Sequence, residues 1–254
     1  MTQLHWPLLA HPLQISSQTV QVVHVPLETD DGQLDRLKSI LSPDESTRAD
    51  RYKVPQPRRH FIACRAVLRL LLGECLNCSP AEVRFDYGSH GKPALRQPDG
   101  ASPRIEFSVS HSSDQALIAL TADRLIGVDI EQQDRAVRIH KLAQRFFSPR
   151  EATELMRLPE ADQQAGFFRG WTSKEAYLKA TGFGLSFPLN KFSVSLDPYQ
   201  PAQLLEVVDQ PLELTRWRLL ALSPPEGFAA AVMYEAASEE PELTVTSFDL
   251  NGYR

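Results

Sequence analysis

Ser148-Pro149-Arg150-Glu151 reads as the start of a helix. A serine caps the free backbone N–H groups, proline suits the first helical position, and a glutamate three residues after the cap reaches back to it. Ser42-Pro43-Asp44-Glu45 repeats the pattern, and the surroundings repeat with it. Each box comes after an apolar strand (20–26 and 125–131) and a short helix (33–41 and 139–146), and each precedes a long helix (58–75 and 162–180). Strands come next, at 83–87, 105–110 and 116–121 in the first half and at 192–195, 217–222, 228–234 and 243–248 in the second. This order predicts an α+β chain of two similar lobes related by a pseudo-twofold axis. Each lobe is expected to hold a small, mainly antiparallel sheet with one long packed helix, divided as residues 1–122 and 123–254. In the long helices, Arg65-Ala66-Val67-Leu68-Arg69 matches Glu175-Ala176-Tyr177-Leu178-Lys179 in pattern. The cleft between the lobes is the expected ligand site.

Composition narrows the function classes. The 254 residues are 42% hydrophobic and 23% charged, ordinary for a globular protein, and no apolar run has the length of a membrane span. Residues 1–13 lack a basic start followed by an apolar stretch, so a cytoplasmic location is expected. The net charge of -5 argues against a general nucleic-acid binder. Yet residues 34–70 carry nine Lys/Arg against four acids, a local basic field suited to one anionic ligand. Cys75-Leu76-Asn77-Cys78 has paired spacing but no second pair, so structural thiols are expected rather than a zinc site.

Two segments carry the chemistry. Gly127-Val128-Asp129-Ile130-Glu131 places two carboxylates at alternate positions of an apolar strand, hence on one face. Trp171-Thr172-Ser173-Lys174-Glu175-Ala176-Tyr177-Leu178-Lys179 places Glu175 and Lys179 one helical turn apart, just before the Gly182-Phe183-Gly184 turn. Like charges this close raise each other's pKa unless a cation neutralises them, and hard oxygen ligands suit Mg²⁺ bound to a phosphate-bearing substrate. A solvated strand end and a surface ion pair would look similar. Two readings of other kinds stay open here. Another Mg²⁺-dependent phosphoryl or nucleotidyl transferase would need a phosphate-cradling loop such as GxxxxGK[ST], which is absent. A non-catalytic binding module would not need all of these acids and lysines.

Taken in order, Gly91-Lys92-Pro93, Phe107-Ser108-Val109-Ser110-His111-Ser112, the Gly127–Glu131 strand and the Trp171–Gly184 helix and turn resemble the 4′-phosphopantetheinyl transferases of the surfactin-synthetase-activating (Sfp) type. The resemblance spans about residues 41–189. The long, two-lobed form is similar to that type rather than to the short trimeric holo-acyl-carrier-protein synthases.

The resemblance implies transfer of the 4′-phosphopantetheine arm of coenzyme A to a serine of an apo acyl or peptidyl carrier protein, releasing adenosine 3′,5′-bisphosphate. It implies Mg²⁺, with Mn²⁺ as a substitute, on Asp129, Glu131 and Glu175. Glu175 and Lys179 are the implied catalytic residues. Lys92, Ser110, His111, Lys174, Lys179, Arg48 and Arg65 are the implied coenzyme A contacts, the two arginines on the 3′-phosphate. The N-terminal lobe would hold the 3′-phosphate side and the C-terminal lobe the metal. Arg138 and Lys141, with Arg135, Arg145 and apolar neighbours from Val137 to Phe147, form the expected docking surface for an acidic carrier helix. A monomer is expected, since one chain supplies both halves of the cleft.

Overall fold

A computed structural model describes residues 6–10, 12–88, 92–97, 103–133, 138–184 and 187–253. The first half runs β1 (Thr19–Pro26), α1 (Asp31–Ile40), α2 (Pro43–Asp50), α3 (Pro55–Leu76), β2 (Phe85–Tyr87), β3 (Pro93–Leu95), β4 (Ile105–Ser112) and β5 (Gln115–Ala122). The second runs β6 (Ile126–Gln132), α4 (Ile139–Phe146), α5 (Pro149–Arg157), α6 (Glu160–Thr181), β7 (Phe192–Val194), β8 (Leu204–Val207), α7 (Glu213–Arg216), β9 (Trp217–Leu222), β10 (Phe228–Glu235) and β11 (Glu242–Ser247). Both Ser-Pro-x-Glu segments form capping boxes, at the starts of α2 and α5. The long helices end where the backbone turns left-handed, α3 at Asn77 and α6 at Gly182, which satisfies carbonyls the helix leaves free. Beyond the expected elements, the chain adds β3, β8 and α7.

The lobes are built alike. Strands β1, β5 and β4 lie side by side in the first, as β6, β10 and β9 do in the second, all antiparallel. Helix α3 packs in a core with Val23, Val25 and Ile118. Helix α6 packs in another with Phe192, Trp217 and Met233. A third core joins the sheets face to face, with Val20, Val22 and Leu117 against Val128, Ile130 and Val232. Strands β1 and β5 are thus covered on both faces, which explains their nearly continuous apolar runs.

Two expectations change. The strand expected to complete the second lobe, β11, crosses back and pairs in parallel with β1, and Phe248 and Leu250 enter the first core. The edge of β1 not taken by β5 offers that segment a partner, whereas β9 already forms the edge of the second sheet. The helix register also differs. Both long helices have 22 residues, and Arg69 and Lys174 are each the fifteenth. Each is paired to the glutamate of its lobe's capping box, so Arg69 corresponds to Lys174, not to Lys179.

No helix among the described residues is long and apolar enough to cross a membrane. The three cysteines are free, and burial pushes the Cys64 thiol up to about 11, in keeping with a structural role.

Candidate active site

Strand β6 alternates. Ile126, Val128 and Ile130 fill the core between the lobes, so Gly127, Asp129 and Glu131 share the opposite face, toward α6. A side chain at Gly127 would put its Cβ 2.0 Å from the Ala176 carbonyl oxygen and 2.4 Å from the Ala180 nitrogen. Glycine therefore lets the helix backbone lie directly on the strand, which brings Glu175 and Lys179 beside the strand's carboxylates.

Asp129 is 4% exposed. Its Oδ1 accepts from Ser110 Oγ at 2.7 Å and from Lys179 Nζ at 2.7 Å. Its Oδ2 is buried with no hydrogen-bond partner among the described residues. Lys179 Nζ also donates to Ser110 Oγ at 2.7 Å. Glu131 accepts from Ser112 Oγ at 2.8 Å. Burial, then the Asp129 charge, push the Glu175 carboxyl up to about 6; Lys179 opposes the rise and Glu131 adds to it. Three carboxylates, those of Asp129, Glu131 and Glu175, thus lie close enough to influence one another, a donor set suited to positive charge.

Serines stitch the lobes together at this point. Strands β4 and β6 belong to separate sheets, yet Ser108 Oγ accepts from Val128 N at 3.1 Å and Ser112 Oγ accepts from Gln132 N at 3.2 Å. With Ser110 on Asp129, the alternating serines of β4 hold both the backbone and the acids of β6. Sequence reasoning singled out Ser110 and missed Ser108 and Ser112 as seam residues; their two-residue period was the available signal.

Lys92 reaches across to the other lobe and donates through Nζ to the carbonyl oxygen of Lys179, near the end of α6. Desolvation lowers its pKa, and the Lys179 charge lowers it further against a pull from Glu106. His111 extends from β4 nearby; desolvation, then Lys179 and His60, hold it below the ordinary histidine value. Lys92, His111, Ser110 and Lys179 thus lie around one cationic patch. His90 and Gly91 of the same turn lie outside the described residues.

Arg48 and Arg65 meet in the first lobe, with guanidinium carbons 5.2 and 5.9 Å from the centre of the Phe61 ring. Arg65 also lies 3.6 Å from Glu45 and keeps a buried Nη1 without a hydrogen-bond partner among the described residues. Beside Arg48 an open groove is lined by Asp44, Glu45, Thr47, Arg48, Arg51, Tyr52 and Tyr87.

Lys174 is the correction. It is fully buried, paired with Glu151 at 2.8 Å, and donates to the carbonyl oxygens of Leu189 at 2.8 Å and Phe192 at 2.6 Å. All three of its protons are committed inside the second lobe, so it is not available to coenzyme A. Arg138 and Lys141 are exposed at the start of α4. The apolar partners Ile139, Leu142 and Phe146 turn partly inward onto the second core. Arg135 and Val137 lie outside the described residues.

Among the described residues no group of three His, Cys, Asp or Glu is arranged to hold a metal, and Lys179 pairs with Asp129. The donor set nonetheless fits a hard cation. All three acids offer oxygen, one buried oxygen is bare among the described residues, and burial, then the acidic neighbours, raise the Glu175 carboxyl.

Comparison with known proteins gives matches over both halves of the chain. Residues 125–233 match the family described as the 4′-phosphopantetheinyl transferase superfamily, and residues 28–123 the family described as 4′-phosphopantetheinyl transferase, N-terminal. The chain is 39% identical over 243 residues to the 4′-phosphopantetheinyl transferase HetI of Nostoc sp., covering 96% of this chain and 99% of that protein. It is 30% identical over 215 residues to psf-1 of Bacillus pumilus, covering 83% and 87%. To Sfp of Bacillus subtilis it is 29% identical over 171 residues, covering 67% and 72%.

Proposed function

The chain belongs to the 4′-phosphopantetheinyl transferases, and from that premise we propose that the Asp129–Glu175–Lys179 cluster at the lobe junction is where the transfer takes place. The reaction moves the phosphopantetheine arm of coenzyme A to a serine of an apo carrier protein and releases adenosine 3′,5′-bisphosphate. The carrying observation is the contact at Gly127, which sets two acids of β6 against an acid and a lysine of α6.

Lys179 and Lys92 would meet the negatively charged pyrophosphate, and Ser110 and His111 would orient it from β4. Transfer to a phosphate-bearing centre needs positioning and charge neutralisation more than covalent help. Glu175, with a pKa of about 6, is ionised at neutral pH yet basic enough to accept the proton of the attacking serine. Asp129, Glu131 and Glu175 would hold Mg²⁺, or Mn²⁺ in its place, which when bound would neutralise charge on the coenzyme A pyrophosphate as it is cleaved and adenosine 3′,5′-bisphosphate leaves. Arg48, which lines the groove with Tyr52 and Tyr87, and Arg65, which shares the Phe61 ring with it, would receive the 3′-phosphate, so that the first lobe would hold the nucleotide and the second the reacting atoms. Arg138 and Lys141 would meet the acidic helix of an acyl or peptidyl carrier. One chain contains both sides of this cleft, which favours a monomer, and a cytoplasmic location is part of the same reading.

The test incubates the protein with apo carrier protein, coenzyme A and Mg²⁺ and reads the carrier by mass spectrometry. A gain of one phosphopantetheine is expected, lost on adding a chelator and restored by excess Mg²⁺. No gain from wild-type protein would overturn the site assignment along with the activity.

A further inference from the structure

Each lobe contains the same four-point latch. In the second, the α5 capping-box glutamate, Glu151, pairs with Lys174 at 2.8 Å, and Lys174 donates to the carbonyls of Leu189 and Phe192, the first residue of a 3₁₀ turn at Leu189–Lys191 and the residue after it. In the first, Glu45 pairs with Arg69 at 2.5 Å, and Arg69 donates to the carbonyls of Pro80 at 2.9 Å and Val83 at 3.0 Å, around a 3₁₀ turn at Pro80–Glu82. Glu151 is held in turn by the N–H groups of Ser148 at 2.7 Å and Val194 at 2.8 Å. The lobes diverge in the helical turn after the latch cation. Arg69 is succeeded by Leu70 and, four residues further on, by Glu74, which accepts from Leu13 N. Lys174 is succeeded by Glu175 and, four residues further on, by Lys179.

We propose that Lys174 is a positioning residue for the transfer: through Glu151 it fixes the rotation of α6 about its axis, so that Glu175 and Lys179 face the acids of β6. The inference rests on the reading of Glu175 and Lys179 as the reacting pair. At 3.6 residues per turn, Glu175 and Lys179 lie about 100° and 140° around the helix from Lys174, and only about 40° from each other. Lys174 therefore points away from the cleft while the pair points into it. Gly127 sets how closely α6 approaches β6, and packing of Ala176, Tyr177 and Leu178 into the second core limits its rotation; a second, directional constraint comes from polar groups. The latch supplies that second constraint, because its anchors in α5 and β7 are outside the α6–β6 contact.

The paired latches give the experiment its control. Three variants are compared with wild type: Lys174→Met, the neutral double variant Glu151→Gln/Lys174→Met, and Arg69→Met. Melting temperature, kcat, KM for coenzyme A, and calorimetric Mg²⁺ affinity without turnover are measured. Lys174→Met should melt lower, because it strands a buried carboxylate. The double variant should recover most of the melting temperature yet keep kcat about 10- to 100-fold down, with Mg²⁺ affinity reduced and KM for coenzyme A within about threefold, as expected for a misaimed catalytic pair. Arg69→Met should lose comparable melting temperature while keeping kcat within about threefold of wild type. If kcat returns with melting temperature in the double variant, or if Arg69→Met lowers kcat as far as Lys174→Met, Lys174 has only a structural role and the proposal fails. If Lys174→Met does not fold, the double variant and Arg69→Met still decide. Absence of transfer by wild-type protein would instead defeat the underlying reading.

Discussion

Asp129 presents two oxygens in unlike settings, one saturated by Ser110 and Lys179 and the other buried and bare among the described residues. Leaving a buried acceptor unpaired costs roughly 1–3 kcal/mol, an expense more typical of a functional site than of a packing residue. Glu175 is the companion case, a half-buried acid whose proton affinity is raised by burial and then by the acids beside it. Replacing it as Glu175→Gln keeps the shape and removes the proposed base. Transfer should fall by about 10²–10⁴-fold in single-turnover mass assays, with coenzyme A affinity by calorimetry largely kept. Gly127→Ala tests the scaffold beneath. Its new methyl would collide with helix backbone, not with a flexible side chain, so α6 must move off β6. A loss of about 1–3 kcal/mol in denaturant unfolding is expected. The fall in kcat should exceed that of an equally destabilised variant elsewhere, because small displacements of reacting groups are costly.

Elements show which faces the local pattern assigns and which it does not. Helix α4 is amphipathic, and its apolar side is used on the second core, leaving Arg138 and Lys141 outward. The double variant Arg138→Glu/Lys141→Glu should raise KM for an acidic carrier by about tenfold, most strongly at low salt, without changing KM for coenzyme A. Equal effects on both substrates would remove α4 as the docking element. In α6 the period of the sequence correctly put Glu175 and Lys179 together but left Lys174 ambiguous. A lysine beside a glutamate in a catalytic motif reads as another phosphate ligand. Only the buried Glu151, more than twenty residues upstream, turns it inward. The capping box was legible; that its glutamate would serve as a core counter-ion was not.

At the scale of the molecule, the first sheet is closed by a strand from the far end of the chain, and His24 on β1 marks the join. Its ring nitrogens bond Gln115 of β5 at 2.5 Å and Ser247 of β11 at 3.1 Å. Burial lowers its pKa from 6.5, with Gln115 and Asp114 opposing. A histidine kept neutral in the fold adds no penalty above pH 6.5. As pH falls below that value the unfolded chain takes up a proton that the folded chain resists, so stability declines toward the depressed folded value. Melting temperature should therefore drop between about pH 7 and pH 5.5, less so in His24→Asn. Deleting residues 237–254 should do more, since it uncovers the β1 edge and removes Phe248 and Leu250 from the first core. Loss of the cooperative melt at room temperature is the expected result, and an unchanged melt would mean that the strand is dispensable.

The repeated Ser-Pro-x-Glu boxes, the strand-and-helix order and the spacing of Asp129, Glu131, Glu175 and Lys179 were determined by the sequence alone. Each depends on contacts a few residues apart, and periods of 2 and 3.6 decide which side chains share a face. Tertiary structure alone decided that Lys174 belongs to the core, that Arg69 is its counterpart, that β11 returns to the first sheet, and that serines of β4 hold β6. Those outcomes depend on which distant partner can neutralise a buried charge or cover an open strand edge. That choice is made by packing, and short-range spacing carries no record of it.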